Sequence, residues 1–280
     1  MKFNKIRLLG VTNVDLPIVG ADPSGPYVLK SADGLGPPNR ALFRSKTTQE
    51  GGVRQGSRAE DRQATMLVGL QPDWDTGQTA EELRTELYGL LTPPFGLPVG
   101  MQLMLGNTVQ AVAQGDISAM EAAIFSSDPA VQIVLDCDYP YFLAPALVYQ
   151  FPAKGLVSGQ SYIDVENDGS APAGFWMRLV LQQTVAGNLV ISDNSPTGQK
   201  MTIKGPWNAG DTLTIDTRAG QRGVWRKASG SGVHVSKLND FTADSPWIQL
   251  HKGPNRLLLN RTAFDWEDQG FGHTPAYWGV

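Results

Sequence analysis

Cysteine is nearly absent. Cys137 is the only one in 280 residues. No internal disulfide can form, a thiolate metal site would lack ligands, and secretion into an oxidising space gains no support. Histidine is almost as scarce. His234, His251 and His273 share no paired spacing, whereas zinc requires three or four converging ligands, so each is expected on a surface or in a turn. Long apolar runs are missing: no stretch approaches the ~18 residues of a membrane helix. Arg7, Asn13, Asp15 and Pro17 interrupt any signal core near the start. A soluble chain made inside a cell is expected. An excess of positive charge is also lacking. Residues 1–150 hold 11 Lys and Arg against 16 Asp and Glu, net −5, and residues 151–280 hold 12 against 11, net +1. A nucleic-acid binder would show a strongly basic footprint.

Catalytic patterns are missing as well. The sequence has no G-x-S-x-G elbow, Walker loop or Rossmann glycine pattern. Asp136 and Asp138 share one strand face and invite a carboxylate-pair reading. Glycosidase acids normally come from separate elements, and these two are expected to accept local hydrogen bonds instead. Cys137 alternates with Val131, Ile133 and Leu135 and is expected to be a small buried hydrophobe rather than an activated nucleophile. No cofactor or metal is implied.

An apolar fraction of 41% with 18% charged residues belongs to a folded chain rather than a disordered one. The length allows two domains. The 31 glycines and 19 prolines suit many short strands joined by turns. Phe3–Leu9 is expected as a first strand, with Ile6 and Leu8 on one face. Five prolines between Pro17 and Pro38 leave room there for only a short strand at Pro26–Lys30. The polar stretch Thr47–Arg62 reads as an extended loop or protruding hairpin before the strand Gln63–Leu70. It is either a surface loop or an arm reaching a neighbouring subunit. The wider segment Arg40–Arg62 carries six basic residues against three acidic ones.

One helix stands out. Thr79-Ala-Glu-Glu82 is a capping box, Leu83, Leu87, Leu90 and Leu91 follow at helical spacing, and Pro93-Pro94 ends the run. Met101–Leu105 is expected as a strand. Thr108–Ile124 and Ala130–Cys137 form an expected hairpin, although Ser118–Ile124 fits one or two helical turns equally well. The strand Val131–Cys137 runs into the aromatic corner Asp138–Phe142. Beyond residue 152 the texture becomes repeated strand and turn. Ser161–Glu166, Gly174–Gln183, Leu189–Ser192, Gln199–Lys204, Thr212–Asp216, Gly223–Lys227, Trp247–His251 and Asn255–Asn260 are the candidates, the spacing of an antiparallel sandwich. In Gly174–Gln183, Phe175, Met177, Leu179 and Leu181 form a core face. Six of seven tryptophans lie in this half. Trp207, Trp225 and Trp247 are candidates for a sugar-stacking platform, against the simpler reading of large core or interface side chains.

Taken in order, these pieces resemble the distal tail protein of siphophages, a phage tail-component family. The resemblance rests on Gly51-Gly52-Val53-Arg54-Gln55-Gly56-Ser57-Arg58 before a strand, the helix Leu83–Tyr88, and the corner Cys137-Asp138-Tyr139-Pro140-Tyr141-Phe142. It extends through Thr197–Ile203, Ala209–Asp216 and Gly253–Leu257. Tyr139 departs from it, since an acidic residue and a proline are commonly adjacent there. The aromatic tail after Asn260 has no role that the resemblance supplies.

The resemblance implies a mainly β protein in two parts. Residues 1–152 would be a tail-tube-like β-sandwich or barrel with one packed helix, and 153–280 a peripheral galectin-like or carbohydrate-module-like antiparallel sandwich. It implies a structural virion protein at the tail tip, assembled in the bacterial host cytoplasm. A hexameric ring would join the tube protein to hub, fibre or receptor-binding proteins and leave a channel through which DNA passes unbound. Ring closure needs two complementary patches on every copy. Gly51, Gly52, Arg54 and Arg58 are the candidate subunit contacts. The alternatives are a carbohydrate-binding module or adhesin using the tryptophan-rich half and, third, a glycan hydrolase using Asp136 and Asp138.

Overall fold

The computed structural model describes residues 2–19, 25–46, 52–92, 97–122, 127–150, 162–194, 198–242, 244–259 and 264–279. Two compact units emerge, Met1–Pro145 together with Tyr277–Val280, and Ala146–Ala276. Strand pairing in both is mainly antiparallel.

The first unit contains β1 (Lys5–Leu9), β2 (Asn13–Pro17), β3 (Tyr27–Asp33), β4 (Arg40–Lys46), β5 (Gly52–Ala59), β6 (Arg62–Leu70), helix α1 (Ala80–Leu91), β7 (Val99–Leu105), β8 (Thr108–Ala122), β9 (Ala130–Cys137) and β10 (Phe142–Leu143). The main sheet runs β2-β1-β7-β8-β9-β6-β3. Ile18, just past β2, bridges Leu29 of β3, so the two outer strands meet and the sheet rolls towards a barrel, which removes exposed edges. The interior follows from strict alternation. Ile6 and Leu8, Val14 and Leu16, Met101 and Leu103, and Val131, Ile133, Leu135 and Cys137 all point into one core.

Helix α1 forms where the local signals place it. Thr79 Oγ1 accepts from the Glu82 amide at 3.2 Å, and the Glu82 carboxylate accepts from the Thr79 amide at 2.9 Å. Leu83, Leu87 and Leu91 are wholly buried against the barrel core, each stabilising by roughly 1.5–3 kcal/mol. Pro93 and Pro94 lie outside the described residues. The stretch Ser118–Ala122 is strand, continuing β8 past a bulge between Ile117 and Ala119 and pairing with β9. Strand β3 is longer than the proline-limited segment expected, and β2 is an addition. The residues that break up a signal core instead make a hairpin, in which Asp15 takes Arg7 Nε at 2.6 Å and Lys5 Nζ at 2.8 Å across the strands.

The second unit contains β11 (Val148–Gln150), β12 (Tyr162–Asn167), β13 (Phe175–Leu181), β14 (Leu189–Asp193), β15 (Lys200–Ile203), β16 (Thr212–Asp216), β17 (Gly223–Lys227), β18 (His234–Ser236), β19 (Gly253–Leu259) and β20 (Phe264–His273). Sheets β11-β20-β13-β16-β17-β18 and β12-β19-β14-β15 share one apolar core. Phe175, Met177, Leu179 and Leu181 are all buried on one face of β13. Two expectations change. Trp247–His251 is not a ladder strand, as only Leu250 bridges to Ala173. The tail after Asn260 supplies β20, which lies between β11 and β13.

Candidate functional site

Strands β4 and β5 form a two-stranded sheet of their own, paired from Arg40–Ala59 to Lys46–Gly52. The stretch read as a loop or hairpin is therefore a hairpin, and it starts at Arg40, before the polar segment. Of the contact candidates, Gly51 lies outside the described residues. Gly52 opens β5 opposite Lys46, Arg54 stands opposite Arg44, and Arg58 stands opposite Ala41. Arg58 is exposed, its guanidinium 5.9 Å from the Phe43 ring. Successive strand residues face opposite sides, yet Leu42 and Phe43 are 52% and 47% exposed. Both faces of the ribbon are therefore bare at this level.

At the root of this arm lies Arg62, which is only 3% exposed and has no carboxylate partner among the described residues. Backbone carbonyls satisfy it instead. Nε donates to Pro140 O at 3.0 Å, Nη1 to Gly36 O at 2.8 Å and to Gly34 O, and Nη2 to Trp278 O at 2.8 Å. The guanidinium also lies 4.3 Å over the Phe142 ring, a cation–π contact. Burial pushes the Arg62 pKa down. Trp278 is held further by the edge of Tyr141 at 4.9 Å and by Arg40 over its ring at 4.6 Å. The aromatic corner after β9 is thus a socket for the end of the chain. Nothing local in the sequence signals this, because the partners are up to 216 residues apart.

The groups considered for chemistry do not converge. Cys137 stands opposite Arg62 in the ladder and is buried, and burial raises its thiol to about 11, so it is held protonated. Asp136 accepts from Gln63 Nε2 at 2.8 Å and faces solvent with Asp138 and Asp116. Asp116 stands directly opposite Asp136. Among the described residues no group of three or more His, Cys, Asp or Glu is arranged to hold a metal. No described helix is long and apolar enough to cross a membrane. His234 is exposed and His251 half-buried. His273 departs from expectation: it is buried in β20 opposite Phe175, and burial lowers its pKa.

The tryptophans proposed for sugar stacking separate in the same way. Trp207 is wholly buried in the sandwich core and has no open ring face, which removes it as a platform. Trp247 is half-buried and stacked on Phe241 at 4.5 Å. Trp225 is half-buried with its ring over the Gly223 backbone. The second unit instead presents a polar groove of about 760 Å³, lined by Asp164, Glu166, Asp193, His251, Asn255 and Arg256 among others. Arg256 grips Asp164 through two nitrogens at 2.6 and 2.9 Å and lies over Tyr162. The nearly buried Asp193 carboxylate lies 3.9 Å from His251 Nε2.

No family model matches the chain, and no curated protein matches it by sequence. Among solved structures it is similar to the SPP1 Dit protein (gp 19.1), described as a paradigm of hub adsorption apparatus in phages infecting Gram-positive bacteria. The TM-score is 0.59 at 13% identity, over 97% of this chain and 98% of that one. A weaker likeness, TM-score 0.45 at 9% identity over 99% of both chains, is to the phage P2 baseplate in its activated conformation with calcium. What this chain shares with the SPP1 protein is a fold, along almost its full length.

Proposed function

We propose that this chain is a structural protein of the virion at the distal end of a long, non-contractile phage tail, and that it catalyses no reaction. The observation that carries the reading is the fold shared with SPP1 Dit from end to end of both chains, since a shared single domain would fit many roles. The barrel unit, about residues 1–152, forms a ring, and the sandwich that follows faces outwards. Six copies close the ring, which joins the tube protein to hub or fibre proteins and leaves a channel for DNA. A net charge of −5 on residues 1–150 supports a passage in which DNA slides without sticking. The bare arm supports self-association, because an isolated two-stranded hairpin is marginal in water. Light scattering combined with negative-stain imaging tests this. Ring particles of several times 30.2 kDa are expected, and a strictly single-chain species across concentrations would sink the reading.

A second reading has one observation in its favour. Saccharide binding by the sandwich unit would rest on the Asp164–Arg256 groove rather than on a tryptophan platform. A glycan array run with the wild-type chain and with Asp193→Ala separates the two. Binding that is retained in Asp193→Ala and lost in Trp225→Ala would move the site back to the tryptophan.

A further inference from the structure

The sandwich unit carries a sheet edge that is open and basic. Among the described residues β18 ends its sheet and pairs only with β17. The Lys237 amide donates to Val224 O at 2.7 Å, and bonded pairs alternate with non-bonded ones along an antiparallel ladder. Val235 and Arg226 are therefore the next bonded pair, so the backbone N–H and C=O groups of His234 and Ser236 point away from β17. Such groups are a template for another strand. Proline or a bulge commonly blunts an edge of this kind; β18 has no proline, and its register with β17 is unbroken.

The side chains around this edge are apolar or positive. Val233 and Val235 are 65% and 56% exposed, and Leu238 is exposed close by. Three of the eleven large apolar side chains exposed among the described residues thus fall within six positions, a concentration that marks an interaction surface. Residues 218–237 hold five basic residues, Arg218, Arg222, Arg226, Lys227 and Lys237, and no acidic one. Arg218, Arg226 and Lys237 pair with Asp216, Asp211 and Asp240, which leaves Arg222 and Lys227 without a carboxylate among the described residues. Lys227 stands opposite His234 and shares its face, whereas Val235 lies on the other face.

We propose that β18 accepts, as an added strand, an extended segment of another protein in which acidic and aliphatic residues alternate. The segment's main chain bonds His234 and Ser236. Its carboxylates share the face of His234 and Lys227, and its aliphatic side chains lie beside Val235, the alternation that strand addition reads. Charge complementarity selects this occupant. A second copy meeting the same edge would set five positive charges against five, and a nucleic-acid backbone would leave the valines uncovered. The proposal goes beyond the ring reading and does not depend on it.

Fluorescence anisotropy with the full chain and a labelled octapeptide of alternating glutamate and valine tests it. Ser236→Pro removes an outward amide and no bond to β17, a position at which an edge strand tolerates proline. Its melting temperature and mass in solution are expected to match the wild type, with binding about tenfold weaker. Arg222→Glu with Lys227→Glu is expected to lose the glutamate peptide and gain a lysine–valine one. No binding by the wild type, equal binding by Ser236→Pro, or equal binding of the lysine–valine peptide by the wild type overturns the proposal. Octaglutamate bound as tightly as the alternating peptide also overturns it, by reducing the edge to bare charge. Duplex DNA that displaces the peptide would overturn it in favour of nucleic acid, and a lower mass for Ser236→Pro in favour of contact between copies.

Discussion

Replacing Arg62 by Met puts the C-terminal socket to a quantitative test. The change keeps an apolar stem against Phe142 and removes every donor. Four carbonyls, those of Gly34, Gly36, Pro140 and Trp278, then lose the same partner. Hydrogen bonds to a charged group contribute about 1.5–3 kcal/mol each, which alone would exceed the stability of many domains. Relief of the buried charge offsets much of that, since desolving an ion costs several kcal/mol. The expected net loss is therefore about 3–5 kcal/mol. Denaturant unfolding of the wild type, Arg62→Met, a chain ending at Ala276, and the combination completes a cycle. Removing Tyr277–Val280 should cost less once Arg62 is gone, with a coupling of about 1–2 kcal/mol. A loss under about 1 kcal/mol for Arg62→Met, or strict additivity, would refute the claim that Arg62 holds the end of the chain. Arg62→Lys should rescue only partly, because an ammonium cannot spread its donors in the guanidinium's fork.

Three other outcomes follow from single sites. The side-chain bond from Arg7 and that from Lys5 hold Asp15 down at about 2, against 3.8 unperturbed. A depressed carboxyl contributes stability above its unfolded value, so that contribution should fade as pH drops from about 3.8 to about 2. Asp15 is partly exposed, so screening reduces the effect to about 0.5–1 kcal/mol, and acid titration of Asp15→Asn should lack that step. Gly34 has φ +77°, and a Cβ there would lie 1.9 Å from Gln63 O. Gly34→Ala is expected to destabilise by about 2 kcal/mol or more, and an unchanged melting temperature would contradict the turn geometry. Cys137, with its thiol raised to about 11, should resist a thiol reagent at pH 8 in the native chain and react promptly once unfolded; rapid native labelling would show the strand opening.

Features carried by neighbouring residues could be read directly. The capping box Thr79–Glu82 and the leucine spacing after it define α1, because the donors they satisfy lie within one turn. Alternation in Val131–Cys137 and Phe175–Leu181 defines two core strands, because the pleat repeats every second residue. For the arm the residues fit a loop and a hairpin equally, and the polar segment from Thr47 marks only its second half, because β4 begins at Arg40. Strand β2 was hidden by Asp15, whose charge is neutralised only by residues on the facing strand. Strand β20 was hidden by a polar, glycine-bearing run whose partners are β11 and β13.

Taken alone, the order of residues determined the mainly β character, the helix and its ends, the absence of disulfide chemistry and the uneven charge, since each depends on composition or on contacts a few positions apart. Only the folded chain decided that Trp207 belongs to a core, that His273 is buried, that Arg62 clasps Trp278 and that, among the described residues, β4 and β5 pair only with each other. Those outcomes depend on which distant segments meet, and pairing across a hundred or more residues leaves no periodic trace in the segments themselves.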